Sequence, residues 1–198
     1  MPKRSHRKIL KAHNPKISIA GQKARELSWV AHHEAAHAVA RLRRLPGTCY
    51  GASIVPSGSI LGVALGEDPF SSGRFDELTG ELVLDVDEVG ANIVVLLAGY
   101  FGAVRAGCPA ARARRSAHND DKQIPKLLEK VSKTLTVFQQ EATQLVEREW
   151  DAIAAVAREL LAHRSLDADE IEVIADPTLS EEARAQMLAA YRVGMRPQ

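Results

Sequence analysis

The chain has 198 residues, of which 45% are hydrophobic and 26% are charged, and this length and composition suit a single soluble domain with a sizeable core. Its 26 basic and 25 acidic side chains leave a net charge of +1, which excludes a protein that binds nucleic acid through its overall charge. Two cysteines are too few for a disulfide scaffold, and the sequence has no G-x-x-x-x-G-K-[ST] loop for ATP.

The first 18 residues form a basic segment that we expect to be a flexible tail, with residues 19–198 forming one domain. The segment has no acidic residue, and its basic residues are Lys3, Arg4, Arg7, Lys8, Lys11 and Lys16. No apolar run follows them, so the segment does not resemble a secretory signal. Contact with nucleic acid through this tail is the alternative that the sequence leaves open.

A helix is predicted over residues 22–45, because apolar residues recur there at spacings of three and four and a Pro-Gly pair ends the pattern. Short β-prone pieces at 52–55 and 60–65 then flank a Pro-Ser-Gly turn, which predicts a β-hairpin or a small sheet. Residues 66–80 are polar and rich in turn formers, and we expect them to form a surface loop.

Residues 86–105 are apolar on nearly every side, which is typical of a buried helix. Their uncharged stretch is shorter than the roughly 20 apolar residues of a membrane span, so we do not expect the chain to cross a membrane. A basic loop containing Arg112, Arg114 and Arg115 is predicted next, followed by further helices. Those helices are predicted over residues 124–133, 138–162, 167–175 and 180–193. The predicted fold is mostly α, with a small β-hairpin or sheet after the first helix.

The sequence His33-Glu34-Ala35-Ala36-His37 is an H-E-x-x-H motif inside the first predicted helix. Residues four apart share a helix face, so both imidazoles can bind one Zn²⁺. Zn²⁺ lowers the pKa of its bound water to about 7, and Glu34 can then take a proton from that water as it attacks a carbonyl carbon. The motif therefore predicts a catalytic zinc site with Glu34 as the general base.

A catalytic zinc ion needs a third protein ligand, and the residues alone leave several candidates. The metzincin pattern is excluded, because Ala40 and Arg43 stand where it requires Gly and His. No carboxylate occurs in residues 38–66, so the third ligand is a later carboxylate or another histidine. The candidates include Asp87, Glu88, His118, Asp120 and Asp121. For Asp120 the alternative is that it and Asn119 only cap a helix.

Three blocks of the sequence, in this order, resemble the peptidase domain of the FtsH-type ATP-dependent zinc metalloproteases. Residues 30–40, VAHHEAAHAVA, resemble the zinc helix of that family. Residues 53–65, SIVPSGSILGVAL, resemble its strand–turn–strand with a Leu-Gly pair. Residues 93–102, followed by Ala117-His118-Asn119-Asp120, resemble its buried helix and its later A-S-N-D segment. A weaker fourth match brings the extent of the resemblance to residues 22–175.

The resemblance implies which residues form the site. The family's third zinc ligand is the Asp of the A-S-N-D segment, which corresponds to Asp120, with the adjacent Asp121 as its rival. The strand region borders the family's cleft, where an extended peptide can pair with a strand edge. The substrate-binding residues that this implies are Ser53, Ile54, Val55, Leu61 and Gly62.

The function that the resemblance implies is that of a zinc-dependent metallopeptidase that cleaves flexible or unfolded polypeptides. The family's ATPase module and membrane anchors have no counterpart in these residues, so we expect a cytoplasmic, ATP-independent enzyme. The resemblance leaves room for a homo-oligomer or for a partner that delivers the substrate. The chain departs from the family at Ala36, where Gly is usual, at His32, where Tyr is common, and at His118. A second hypothesis therefore stays open, a non-catalytic zinc-containing adaptor or peptide-binding protein that has retained the peptidase fold.

Overall fold

The computed structural model describes residues 19–58, 61–68, 74–75, 82–83 and 85–194. The predicted basic tail, residues 1–18, lies outside the described residues, and so does most of the predicted loop at 66–80. The part of the chain that is described is mostly helical with a small antiparallel sheet, which confirms the predicted fold class.

The elements follow one another along the chain in this way. The helices are α1 (Ile19–Arg44), α2 (Val86–Arg105), α3 (Ala110–Ser116), α4 (His118–Leu128), α5 (Leu135–Arg148), α6 (Trp150–His163), α7 (Ala168–Ala175) and α8 (Glu181–Gly194). The strands are β1 (Cys49–Ser53), β2 (Val63–Gly66), β3 (Arg74–Phe75), β4 (Leu82–Val83) and β5 (Ser165–Asp167). Strands β3 and β4 pair with each other, so part of the segment predicted as a loop is a strand.

Helices α1 and α2 form the centre of the core, and α4, α5, α6 and α7 pack around them. Helix α2 has the bounds that the sequence predicts. The residue before it, Asp85, is its N-cap, and the Asp85 carboxylate accepts hydrogen bonds from the backbone N–H groups of Asp87 and Glu88. Among the described residues it is the one helix long and apolar enough to cross a membrane, but most of it is buried inside the protein. Its packing against α1 confirms the prediction of a buried helix.

Small residues set the distance between α1 and α2. A Cβ atom at Gly102 of α2 would lie 2.5 Å from the Cβ of Ala36 and 2.9 Å from the carbonyl oxygen of His32. Real Cβ atoms do not approach other atoms so closely, so the two backbones come together only because residue 102 has no side chain. This close contact brings the middle of α2 against the H-E-x-x-H turn of α1.

The three-stranded sheet has the order β2-β1-β5, with both pairs antiparallel. The pairing of β1 with β2 confirms the predicted hairpin, although the strands cover 49–53 and 63–66 and not the predicted 52–55 and 60–65. Its partner on the other side, β5, comes from a distant part of the sequence and places Leu166 opposite Ala52. Gly51 has φ +143° and would clash with the carbonyl oxygen of Leu166 if it carried a Cβ, so this position requires glycine. Strand β1 is therefore internal, and β2 and β5 are at the edges of this sheet.

The basic loop predicted around Arg112 is wrong, because helix α3 occupies this segment. Alanine and arginine have high helix propensities, and aromatic rings on the neighbouring helices stabilise the arginine side chains. The guanidinium of Arg112 lies 5.3 Å from the centre of the Trp29 ring, and that of Arg114 lies 5.3 Å from the centre of the Tyr100 ring.

The predicted bounds of three helices also differ from the structure, and the first of these helices, α1, begins at Ile19 and not at 22. Helix α4 begins at His118, before the predicted start at 124, so Asp120 lies in its first turn and is not its N-cap. The single helix predicted over 138–162 is divided into α5 and α6 at Glu149, whose φ of −96° and ψ of 15° are not helical. Glu149 accepts a 2.9 Å hydrogen bond from Arg43 of α1, a long-range contact that local sequence does not reveal.

We expect Gly102→Ala to destabilise the fold by about 1–3 kcal/mol, because the added methyl group forces α1 and α2 apart. Urea unfolding followed by circular dichroism measures this change. Gly90→Ala in the same helix is the control, since its Cβ would meet only the edge of the Phe138 ring at 3.3 Å. Equal stability of the two variants would contradict the role given to Gly102.

Candidate metal centre

Helices α1 and α4 bring three potential metal ligands to one point. The Nε2 atoms of His33 and His37 are 3.1 Å apart, and the Oδ2 atom of Asp120 lies 3.3 Å from the first and 3.4 Å from the second. The three side chains form the cluster of potential metal ligands found in the described part of the chain. Two imidazole nitrogens and a carboxylate oxygen that converge in this way can together coordinate one metal cation.

A hydrogen bond from the second helix orients one of the imidazoles. The Nδ1 atom of His37 lies 2.8 Å from the carbonyl oxygen of Val95 in α2, to which its N–H donates. When His37 is neutral, the lone pair of its Nε2 atom is therefore directed at the cluster, an arrangement typical of histidine ligands. The Nδ1 atom of His33 is buried and has no hydrogen-bond partner among the described residues.

Space for the two imidazoles comes from Gly99 on α2. A Cβ atom at this position would lie 2.6 Å from Cε1 of His37 and 2.8 Å from Cε1 of His33. Any side chain at residue 99 would therefore push both rings out of the cluster. The absence of a side chain there lets the imidazoles occupy the space between α1 and α2.

In the metal-free protein the cluster holds a proton and a negative charge. Burial lowers the pKa of His37, but the charge of Asp120 and the hydrogen bond to it outweigh burial and raise that pKa to about 9. Burial raises the pKa of Asp120. The charge of His37 and hydrogen bonds from both imidazoles outweigh burial and hold this pKa well below its ordinary value. A metal ion that binds here at neutral pH must therefore displace a proton.

Glu34 is a buried carboxylate beside this cluster, between α1 and β2. Burial raises the pKa of Glu34 above its ordinary value, although the charges of His33 and His37 and a backbone hydrogen bond from Ala64 oppose this effect. A Cβ atom at Gly62, just before β2, would lie 2.7 Å from Oε1 of Glu34. The residue just before β2 thus lies directly against this carboxylate.

The five residues predicted to bind substrate lie in different environments. Gly62 contacts Glu34, and the side chains of Val55 and Leu61 are 53% and 55% exposed. Ser53 is in the internal strand β1, where its hydroxyl group lies 2.7 Å from that of Ser165. Ile54 is fully buried in the core, and its N–H donates to the carbonyl oxygen of Arg164.

The other candidates for the third ligand lie away from the cluster or point elsewhere. Asp87 and Glu88 are exposed at the start of α2, and His118 and Asp121 are exposed on α4. His32 bonds to the carbonyl oxygen of Ser28 and stacks on Trp150, so it is not part of the cluster.

Sequence reasoning did not identify Gly99 or the carbonyl group of Val95 as parts of the site. For Gly99 the sequence does offer a signal, because it is a glycine in the middle of an otherwise bulky apolar helix. For the carbonyl group of Val95 the sequence offers no signal, since this is a backbone group that every residue has.

No protein-family model matches the sequence, and no curated protein matches it. The resemblance to the FtsH-type peptidase domain therefore stays a prediction from the motifs.

We expect Asp120→Ala to weaken metal binding by roughly 100-fold or more, because even the loss of a group that only supports a ligand costs about 10–100-fold. Isothermal titration calorimetry with ZnCl₂ on the metal-free protein measures the affinity. Asp121→Ala is the matched control, because Asp121 is the adjacent acidic residue and is exposed. A larger loss in the Asp121 variant would contradict the assignment of Asp120.

We expect about one proton to be released for each metal ion bound at pH 7, since the pKa of His37 is raised to about 9 and the ligand must be neutral. Apparent affinity should then rise by about tenfold for each pH unit up to pH 9. Calorimetry in two buffers with different ionisation enthalpies counts the protons. Metal binding at pH 7 without proton release would show that His37 is already neutral.

Proposed function

We propose that this protein is a zinc-dependent metallopeptidase that hydrolyses peptide bonds in flexible polypeptides. The observation that carries the proposal is the position of Glu34, a buried carboxylate in the turn that bears His33 and His37. A metal site that serves only structure has no use for an additional buried carboxylate, because burial of an acidic group costs free energy.

The donor set supports zinc as the metal ion. Tetrahedral zinc with bonds of about 2.0–2.1 Å holds its ligands about 3.3–3.4 Å apart. The separations among His33, His37 and Asp120 are 3.1, 3.3 and 3.4 Å. Catalytic zinc sites have three protein ligands and one open position, whereas structural sites have four protein ligands. The described residues provide three.

The chemistry divides between the metal ion and Glu34. When bound, Zn²⁺ supplies a Lewis acid that makes water a nucleophile near neutral pH and polarises the substrate carbonyl group. Glu34 can accept the proton of the attacking water and pass it to the nitrogen of the departing amine. Its raised pKa suits both steps, because the carboxylate becomes a stronger base and holds the proton until the C–N bond breaks.

Strand β2 supports a polypeptide as the substrate. Gly62, just before β2, lies against Glu34, and the pairing of β2 with β1 leaves the other edge of β2 unpaired among the described residues. An extended peptide that pairs with this edge lies alongside Glu34 and the metal cluster. Such pairing uses main-chain groups, so it requires a segment that can become extended rather than a particular sequence.

The alternative function is that of a zinc-containing protein that binds peptides without cleaving them. It would use the same β2 edge and the same metal ligands, and it differs from the peptidase only in turnover. The buried Glu34 favours the peptidase, because peptide binding at the strand edge does not require that carboxylate.

We expect Glu34→Gln to lower peptide hydrolysis by about 10²–10⁴-fold, because it removes the general base. The bound zinc content should stay unchanged, since Glu34 is not a ligand. Cleavage of unfolded casein and of a fluorogenic peptide, with metal analysis of the same samples, measures both quantities.

Glu26→Gln is the matched control, because Glu26 is on the same helix and forms an ion pair with Arg112 at 3.0 Å, outside the metal cluster. Equal turnover by the Glu34 variant and the wild type would rule out the proposed role of this residue. Zinc-loaded wild-type protein that binds peptides without cleaving them would favour the alternative function.

A further inference from the structure

The outer side of α4 and the helix before it, α3, form a positively charged surface of the protein. Residues 89–119 contain four arginines and no acidic residue. Lys122 and Lys126 of α4 are both exposed and are four residues apart, so they lie on the same side of the helix. Asp120 and the buried Ile124 are also four residues apart, and their side faces the core. Helix α4 thus holds a potential metal ligand on its inner side and presents basic residues on its outer side.

Four basic residues of α3 and α4 form no ion pair with a carboxylate of the described residues. We refer to them as the basic surface, and all of them are exposed: Arg114, Arg115, Lys122 and Lys126. Apart from Asp120, the acidic residue of this segment, 110–128, is Asp121. Burial raises the pKa of Asp121, and the charge of Arg114 opposes this effect. Four cations beside one carboxylate leave a net positive charge on the basic surface.

A contact with an aromatic ring holds one of these cations in place without neutralising it. The guanidinium of Arg114 lies 5.3 Å from the centre of the Tyr100 ring of α2, whose electron-rich face attracts it. The neighbouring Arg112 makes the same kind of contact with Trp29, but Arg112 also pairs with Glu26 at 3.0 Å. A side chain that is held in this way loses less conformational entropy when it binds a partner. Arg114 is therefore prepared for an anion that the described residues do not supply.

The basic surface is close to the metal centre, because both depend on α4. Asp120 lies in the first turn of this helix, and Lys122 and Lys126 follow it by about 3 Å and about 9 Å along the helix axis. The width of one helix, about 10–12 Å, therefore separates the metal cluster from the basic surface. An extended chain covers this distance with about four residues. A polypeptide bound at the metal centre can thus reach the basic surface with the residues that follow.

We propose that the basic surface binds an acidic segment of the polypeptide substrate. The inference rests on the proposed function, because it names a class of substrate for that same site. The arginines can each form two parallel hydrogen bonds with a carboxylate, and the lysines bind carboxylates as point charges. Segments rich in Asp and Glu stay unfolded and extended through charge repulsion. They therefore combine the flexibility that the peptidase requires with the negative charge that the basic surface lacks.

Nucleic acid is the competing partner for a surface of this charge. A protein whose binding to DNA depends strongly on salt neutralises about 6–10 phosphates. The basic surface offers four cations, and Asp121 lies among them. Its proximity to a metal centre suited to attack on a carbonyl carbon also favours a polypeptide. Nucleic acid is accordingly included in the experiment as a separate probe.

Three labelled peptides and one labelled oligonucleotide test the proposal. The peptides have the same Ala-, Leu- and Gln-based core, a short Gly-Ser spacer and an amidated tail of four residues, which is Glu, Gln or Lys throughout. The oligonucleotide is an oligothymidylate with four phosphate groups, so its charge equals that of the Glu tail. Binding is measured by fluorescence anisotropy with the zinc-loaded Glu34→Gln protein, and kcat/KM of the peptides is measured with the wild type.

We expect the Glu-tailed peptide to bind roughly tenfold more tightly than the Gln-tailed peptide in about 50 mM NaCl, through several exposed ion pairs. The ratio should fall to about twofold or less in about 500 mM NaCl, because salt screens exposed charges. The Lys-tailed peptide should bind more weakly than the Gln-tailed one, since like charges repel.

Two double variants, each made in the Glu34→Gln protein, locate the preference. Lys122→Gln with Lys126→Gln removes half of the basic surface and should lower the tenfold ratio to about threefold. Arg158→Gln with Arg164→Gln is the matched control, because these two arginines are exposed on and just after α6 and the same charge is removed. The control should keep the tenfold ratio. Replacement of all four cations of the basic surface by Gln should bring the ratio to about one.

The outcomes separate this proposal from the peptidase. Equal binding of the Glu- and Gln-tailed peptides by the protein with an intact basic surface overturns the inference, whether or not the variants fold. A preference that persists without all four cations overturns it as well, since another group is then responsible. Tighter binding of the oligonucleotide than of the Glu-tailed peptide assigns the surface to nucleic acid instead. Cleavage without a preference leaves the peptidase standing and rejects the basic surface, whereas a preference without cleavage rejects the peptidase alone.

Discussion

The close contact between α1 and α2 is the constraint on which the site depends. Gly102 lets the backbones approach, and Gly99, one turn earlier, leaves room for the two imidazoles. Only at this distance can the carbonyl oxygen of Val95 accept a hydrogen bond from His37. A bulkier residue at either glycine would separate the helices and remove the hydrogen bond that orients His37. The geometry of the cluster is thus a consequence of helix packing rather than of the motif alone.

The third ligand depends on a different contact, because Asp120 reaches the cluster from α4. Helix α4 packs against α2, and its first turn carries Asp120 to within 3.4 Å of both imidazole nitrogens. Without a metal ion, the cluster is stabilised as an ion pair, in which His37 carries the proton. Metal binding exchanges this proton for an ion of higher charge, so the same packing that stabilises the metal-free fold prepares the metal site.

The sequence predicts the parts of this protein that depend on local periodicity. The bounds of α2, the β1–β2 hairpin and the shared face of His33 and His37 all follow from spacing and turn residues. The start of α4 and the break at Glu149 do not, because tertiary contacts decide them. Spacing alone also left Asp120 among several candidates, and only a resemblance to a family selected it. The role of a backbone carbonyl group such as that of Val95 cannot be predicted from the residue type.

The same physical rule operates on the adjacent face of α1, where β2 takes the place of α2. Gly62 lies against Glu34 and Gly66 against Arg41, just as Gly99 lies against the imidazoles. Each of these buried polar side chains of α1 therefore faces a residue without a side chain on the neighbouring element. This arrangement lets polar groups be buried while a second backbone remains within reach of them. On the α2 side that backbone supplies a carbonyl group to His37, and on the β2 side it belongs to an edge strand of the sheet, with which a peptide would pair under the proposed function. Among the described strands of this sheet β2 has a free edge, because β1 is the strand that pairs on both sides.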